Sequence, residues 1–213
     1  MLLTQYRQQR LQWPETGRHI LAQFDAETVV VYQAYRPEIG LAAARGGSFV
    51  APFRFNRMSW IKPNFLWMMH RSGWGRKEGQ EVTLAVHIHR WAFDRILATA
   101  VPSSFNKRLY PDEPAWRRAL RSSEVRLQWD PDHEPGGQRC ARRAVQLGLR
   151  GQTLRLYASE WVVHIDDISE LVRTQRTNVG TPDLMTPREA VYPVRDPEVA
   201  SRLGLADPPV DGC

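Results

Sequence analysis

From Ile39 to Lys77 the chain contains no acidic residue, yet that stretch carries seven of its Lys and Arg residues. Cysteine is almost missing as well: only Cys140 and Cys213, at no metal-binding spacing. Two thiols so placed exclude a disulfide framework and suit a reducing compartment. No apolar run approaches the length needed to cross a bilayer, and Met-Leu-Leu-Thr-Gln-Tyr-Arg lacks the apolar centre of a secretory leader. The expectation is a cytoplasmic protein with no membrane partner.

Several chemistries lack their motifs. There is no Walker-type phosphate loop and no Gly-x-Ser-x-Gly elbow, and Gly73-Trp74-Gly75 lacks the third glycine and following helix of a dinucleotide fingerprint. His87-Ile88-His89 puts two imidazoles on one strand face without an obvious third ligand, so no metal is expected. In Asp166-Asp167 the two carboxylates would point apart on a strand end, and Asp167 reads as a cap for the helix that follows.

What is present is an ordinary globular composition: 213 residues, 42% hydrophobic, 24% charged, with a net charge of +6. That length suits one α+β domain over 1–176, followed by a Pro/Gly-rich, loosely ordered tail over 177–213. Oligomeric state is left open. In the acid-free stretch Arg54, Arg57, Lys62, Arg71, Arg76 and Lys77 alternate with Phe49, Phe53, Phe55, Trp60, Phe65, Trp67 and Trp74. Cations among flat rings suit a ligand carrying phosphates and bases, a nucleotide or a nucleic acid. The same pattern also describes a buried aromatic core edged by solvated charge.

Thr28–Tyr35, β-branched and aromatic throughout, reads as the clearest strand. Pro37 opens a helix that Gly46-Gly47 closes. A short helix is expected from Thr16 to Phe24, and extended pieces at 50–55 and 58–61. Phe65–His70 reads as a helix turn or a strand, Glu81–His89 as a strand, Trp91–Ala100 and Ala115–Arg121 as helices. Strands at Val125–Trp129, Ala144–Leu149 and Trp161–Ile165 and helices at Thr153–Ser159 and Asp167–Arg176 complete the reading. The mixture lacks strict βαβ alternation, which favours α+β over a doubly wound sheet.

Two long segments, Val29-Val30-Val31-Tyr32-Gln33-Ala34-Tyr35-Arg36-Pro37-Glu38-Ile39 and Arg57-Met58-Ser59-Trp60-Ile61-Lys62-Pro63-Asn64-Phe65-Leu66-Trp67-Met68-Met69, are followed by Arg71-Ser72-Gly73-Trp74-Gly75 with Lys77 and Gly79-Gln80-Glu81, then Gln128-Trp129-Asp130-Pro131 and Gln146-Leu147-Gly148-Leu149. Together they resemble the family catalogued as domain of unknown function 4291, over roughly residues 5 to 195. More distantly, Val31-Tyr32-Gln33-Ala34 is similar to the first strand of ADP-ribosyltransferases. Phe49 to Ser59 resembles a segment of their DNA-modifying toxin members, and Glu160-Trp161-Val162-Val163 resembles the strand that opens with their catalytic glutamate.

That second resemblance implies a core of two small packed sheets gripping NAD, with ADP-ribose passing to a nucleic-acid acceptor. It implies Glu160 and Arg57 as catalytic residues and Gln33, Tyr32, Tyr35, Trp60 and Lys62 as NAD contacts. Arg54, Arg71, Arg76, Lys77 and Trp74 would face the nucleic acid. Gln33 stands where that pattern usually has His, so a donor–acceptor replaces a titratable ring. The alternative is a non-catalytic nucleic-acid-binding protein that uses the basic aromatic surface and has no need of Glu160.

Overall fold

The computed structural model describes residues 1–205. Cys213 and the end of the expected tail lie outside the described residues. In chain order the elements begin with β1 (Leu3–Gln5), α1 (Tyr6–Arg10), β2 (Gly17–Arg18), β3 (Leu21–Ala22), β4 (Thr28–Tyr35) and α2 (Pro37–Gly46). Then come β5 (Ser59–Ile61), α3 (Phe65–Ser72), β6 (Val82–His89), α4 (Arg90–Thr99), β7 (Val101–Pro102) and α5 (Glu113–Ser122). The chain continues through β8 (Val125–His133), β9 (Arg139–Leu149), α6 (Gly151–Ala158), β10 (Val162–Asp167) and α7 (Ser169–Thr177). β11 (Met185–Pro187), β12 (Ala190–Val191) and α8 (Pro197–Leu203) finish it. The fold is mixed α+β, as expected.

Two sheets dominate. One is antiparallel, in the order β10-β6-β4; the other runs β2-β9-β8-β7, with β5 added to the edge of β9 that β2 also occupies. A shared core lies between them, built from Val29 and Val31, Leu84, Val86 and Ile88, Leu127, and Leu147 and Leu149. The other face of β4, through Val30 and Tyr32, packs on α3. Burial on both faces explains why Val29–Tyr32 is a continuous apolar run rather than an alternating one.

β5 joins the sheets. It pairs with β9, and its next residue, Lys62, forms a bridge with Tyr32 of β4. Pro63 then fixes the chain in an extended turn, and the Asn64 side chain accepts the Trp67 N–H at 2.6 Å to start α3.

Three expectations need correction. Residues 16–24 form no helix: Gly17 sits at φ +85°, and the consecutive buried Ile20, Leu21 and Ala22 are held by the far end of the chain. Residues 50–55 form turns rather than a strand. The tail is not loose through Leu205. β11 pairs with β1 and β12 with β3, while buried Tyr192 donates to Asp94 at 2.6 Å. Among the described residues no helix is long and apolar enough to cross a membrane.

Candidate functional site

Where β5 bridges the sheets, a cleft of about 480 Å³ opens. Its lining joins the end of β4 (Gln33, Tyr35), the 57–62 segment, Met68 and Arg71 of α3, the 78–80 loop, and Gln128 and Gln146 of the larger sheet. A side cavity of about 300 Å³ continues it through shared Tyr35, Arg57, Ser59 and Gly79, and adds Arg36 and Arg54.

Lys62 is the unusual group. It is only 5% exposed, lines the cleft, and pairs with no carboxylate among the described residues. Burial, with help from Arg71, pulls its amine down to about 8, while Asp130 pulls the other way. An ammonium removed from water without a partner is costly, and an anion in the cleft would supply the missing counter-charge. Arg57 and Arg71 stand exposed at the mouth, and Glu78 is the carboxylate on the lining.

Opposite Lys62, Gln128 and Gln146 are direct partners across β8 and β9. Asp130 accepts from both side-chain amides, at 2.9 Å from Gln128 and 2.7 Å from Gln146. With their N–H groups held by one carboxylate, the two amides keep Oε1 acceptors for a ligand. Trp60 lies over Gly148, its strand partner. A Cβ there would sit 2.6 Å from Met58 Sδ and 3.0 Å from Trp60 Cζ2, so only glycine admits that packing unshifted.

The Gln33 amide is already engaged. Its Nε2 lies 2.8 Å from the Tyr35 hydroxyl, 2.9 Å from Ser59 Oγ and 3.2 Å from the Trp60 carbonyl, and its Oε1 accepts from Tyr157 at 2.7 Å. Two N–H groups cannot serve three acceptors and a ligand fully, so Gln33 acts as cleft floor. Burial pushes the Tyr35 phenol well up, so it stays neutral as a hydrogen-bonding wall.

The structure therefore brings together Arg57, Lys62, Trp60, Tyr35, Gln33 and Arg71, with Arg54 in the side cavity. Tyr32 does not join them: it is fully buried on the opposite face of β4, against Phe65. Glu160 does not join them either. Trp161 accepts from His89 N–H at the Thr28 end of β4, five strand residues from Gln33, or about 17 Å. Glu160 is exposed there and outside the cleft lining.

The 71–77 motif has a structural job. Gly73, Trp74 and Gly75 all take positive φ, at 59°, 57° and 70°, forming the turn that ends α3. A tryptophan in that region costs roughly 1 kcal/mol. Its indole compensates by being buried to 9% exposure, edge-on to Phe65, with its N–H donated to Pro135 at 3.2 Å. Lys77 Nζ donates to the Arg71 carbonyl at 2.7 Å and Arg76 Nε to Gly73 at 3.3 Å, closing the same turn. Trp74 is thus no stacking platform for a base. Phe49, Phe53, Phe65 and Trp67 are buried with it, so the aromatic stretch is mainly core.

Sequence reasoning passed over Gln128, Gln146, Asp130 and Glu78 as site residues. The signal was polar side chains facing one way across two paired strands, Gln128 and Asp130 against Gln146. His87 is paired with Asp166 at 3.1 Å, and among the described residues no metal-binding group of three or more ligands occurs. Asp167 lies one residue before the N-cap position, which Ile168 occupies, and its Oδ1 accepts the Ser169 N–H at 2.9 Å.

A family model described as domain of unknown function (DUF4291) matches residues 19–192. A search of curated proteins gives no match.

Proposed function

We propose that this chain, which belongs to the DUF4291 family, binds a phosphate-bearing nucleotide in the cleft, and that this nucleotide is NAD. The observation that carries the reading is Lys62, buried, without a carboxylate partner, and lining a cleft whose mouth is flanked by Arg57 and Arg71. Three cations around one concavity suit a pyrophosphate, with the arginines giving planar, bidentate contacts. The Oε1 atoms of Gln128 and Gln146 suit ribose hydroxyls or a carboxamide, and Trp60 offers a flat wall to a ring.

An ADP-ribosyltransferase-like use of NAD extends this reading. The bond from the ribose C1 to the nicotinamide nitrogen breaks, and neutral nicotinamide leaves with the electron pair. The acceptor nucleophile, on a nucleic acid, bonds to C1 and loses a proton. The oxocarbenium-like state between needs a nearby negative charge. Glu78 on the cleft lining takes that role in preference to Glu160.

The test is a thermal melt with NAD, ADP-ribose and AMP. Saturation at about 100 times the dissociation constant adds about 2.7 kcal/mol, a shift of a few degrees for a domain of this size. Arg57→Ala is expected to weaken the shift and Glu160→Gln to leave it unchanged. Nicotinamide release, followed by chromatography, separates a transferase from a binder. No shift with any of the three ligands overturns the reading.

A further inference from the structure

A second concave site adjoins the cleft through Gln128, which lines both. This cavity, of about 710 Å³, is walled by Arg18, Lys107, Arg143 and Arg202, with no carboxylate on its lining. Arg18 and Arg143 are direct partners on the parallel strands β2 and β9. Both are exposed, and neither pairs with a carboxylate among the described residues. Like charges placed side by side on neighbouring strands destabilise a sheet, and an anion between them would relieve that repulsion. Lys107 arrives from the loop before α5 and Arg202 from α8, so four separate parts of the chain converge in one sign of charge. Phe105, also on the lining, leaves 40% of its surface exposed.

We propose that this cavity holds the sugar–phosphate backbone of a single-stranded nucleic acid, with Phe105 taking a base against its ring. Arginine forks match phosphate oxygens, and a ring beside them matches the alternation of phosphate and base along a strand. A flat lipid surface cannot enter the concavity, and an acidic peptide would leave Phe105 without a planar partner. The strand would then run past Gln128 towards the nucleotide cleft. Only that delivery role rests on the NAD reading; binding of the strand does not.

The test is fluorescence anisotropy with labelled single-stranded DNA and RNA of about 12 nucleotides, within the span of single-strand grooves. The protein variants are Lys107→Glu/Arg143→Glu and the charge-matched control Arg173→Glu/Arg188→Glu, all at exposed positions. The first pair is expected to weaken binding by about tenfold or more. It should also flatten the dependence of log K on log salt by about 1.4, two single-strand phosphate contacts. The control is expected to change affinity less than about threefold, the effect of net charge alone.

Absence of binding by the unaltered protein overturns the proposal, as does equal loss in both double variants. So does competition by polyglutamate as effective as that of unlabelled oligonucleotide. Lys62→Met separates this proposal from the cleft reading. Retained strand binding with lost NAD binding supports two sites, and loss of strand binding places the strand in the first cleft instead.

Discussion

Lys62 and Tyr32 exchange backbone hydrogen bonds across the seam between the two main sheets. The Tyr32 N–H donates to the Lys62 carbonyl at 2.7 Å, and the Lys62 N–H donates to Tyr32 at 3.2 Å. This single bridge fixes where the lysine lies, and its side chain is then committed to the cleft. The backbone thus holds a charged group where the hydrophobic effect alone would not put it.

That placement is costly, which makes it testable. The Lys62 amine sits at about 8 in the fold against an ordinary 10.5. Below pH 8 both folded and unfolded chains carry the proton, and the folded state bears the full penalty, roughly 3 kcal/mol. Between 8 and 10.5 the unfolded chain holds a proton that the fold has released, so stability rises with pH; above 10.5 the penalty is gone. Lys62→Met is therefore expected to raise stability at neutral pH by up to about 3 kcal/mol. Denaturant melts of both proteins should converge as pH rises through that window.

Ligand affinity should move the other way. The ammonium form attracts a pyrophosphate and the neutral amine does not, so affinity for NAD or AMP falls as pH rises through about 8. The slope is at most tenfold per pH unit, the linkage of one proton. Isothermal titrations between about pH 6.5 and 9.5 read this directly, and Lys62→Met should abolish the slope.

Gly148→Ala tests the cleft wall. The new methyl would press on Met58 Sδ and Trp60 Cζ2. The thioether can swing aside, but the indole must shift, at about 1 kcal/mol of stability or somewhat more. The expected signature is a changed Trp emission spectrum and weaker nucleotide binding in a protein that still melts cooperatively.

Glu189 tests the segment that braces the site. This buried carboxylate accepts the Phe65 N–H at 2.6 Å and the Asn64 side-chain amide at 3.1 Å, capping α3 from 125 residues away. Burial pushes its pKa well up, which makes a neutral substitute easy to accommodate. Glu189→Ala should cost about 2 kcal/mol, because both donors lose their acceptor. Glu189→Gln retains an acceptor for the Phe65 N–H and should cost less than half as much by thermal melt.

Where structure depends on neighbours in sequence, the residues announced it. Thr28–Tyr35 was legible to the residue because β-branched and aromatic side chains suit a strand buried on both faces. The Pro37 start and Gly46-Gly47 end of α2 were equally plain. Residues 16–24 and 185–192 misled, because their extended pieces form only by pairing far along the chain: Leu21–Ala22 with Ala190–Val191, Gly17–Arg18 with Arg142–Arg143, and Met185–Pro187 with Leu3–Gln5. Prolines and charges hid the buried Thr186, Glu189 and Tyr192.

The site divided along the same line. Arg57, Lys62 and Arg71 were singled out by charge, but nothing local showed that Lys62 alone would be buried. Glu160 drew attention through the strand it precedes, and register then put it at the opposite end of the sheet from Gln33. Gln128 and Gln146 could be matched only once β8 and β9 were paired.

The most direct test of the account is calorimetric titration of NAD at pH 7 into the unaltered protein, Lys62→Met and Glu160→Gln. One binding site is predicted for the first and third, with loss of at least about a hundredfold for the second, the worth of a buried charge-assisted contact. Lys62→Met that binds NAD as tightly as the unaltered protein would contradict the central claim.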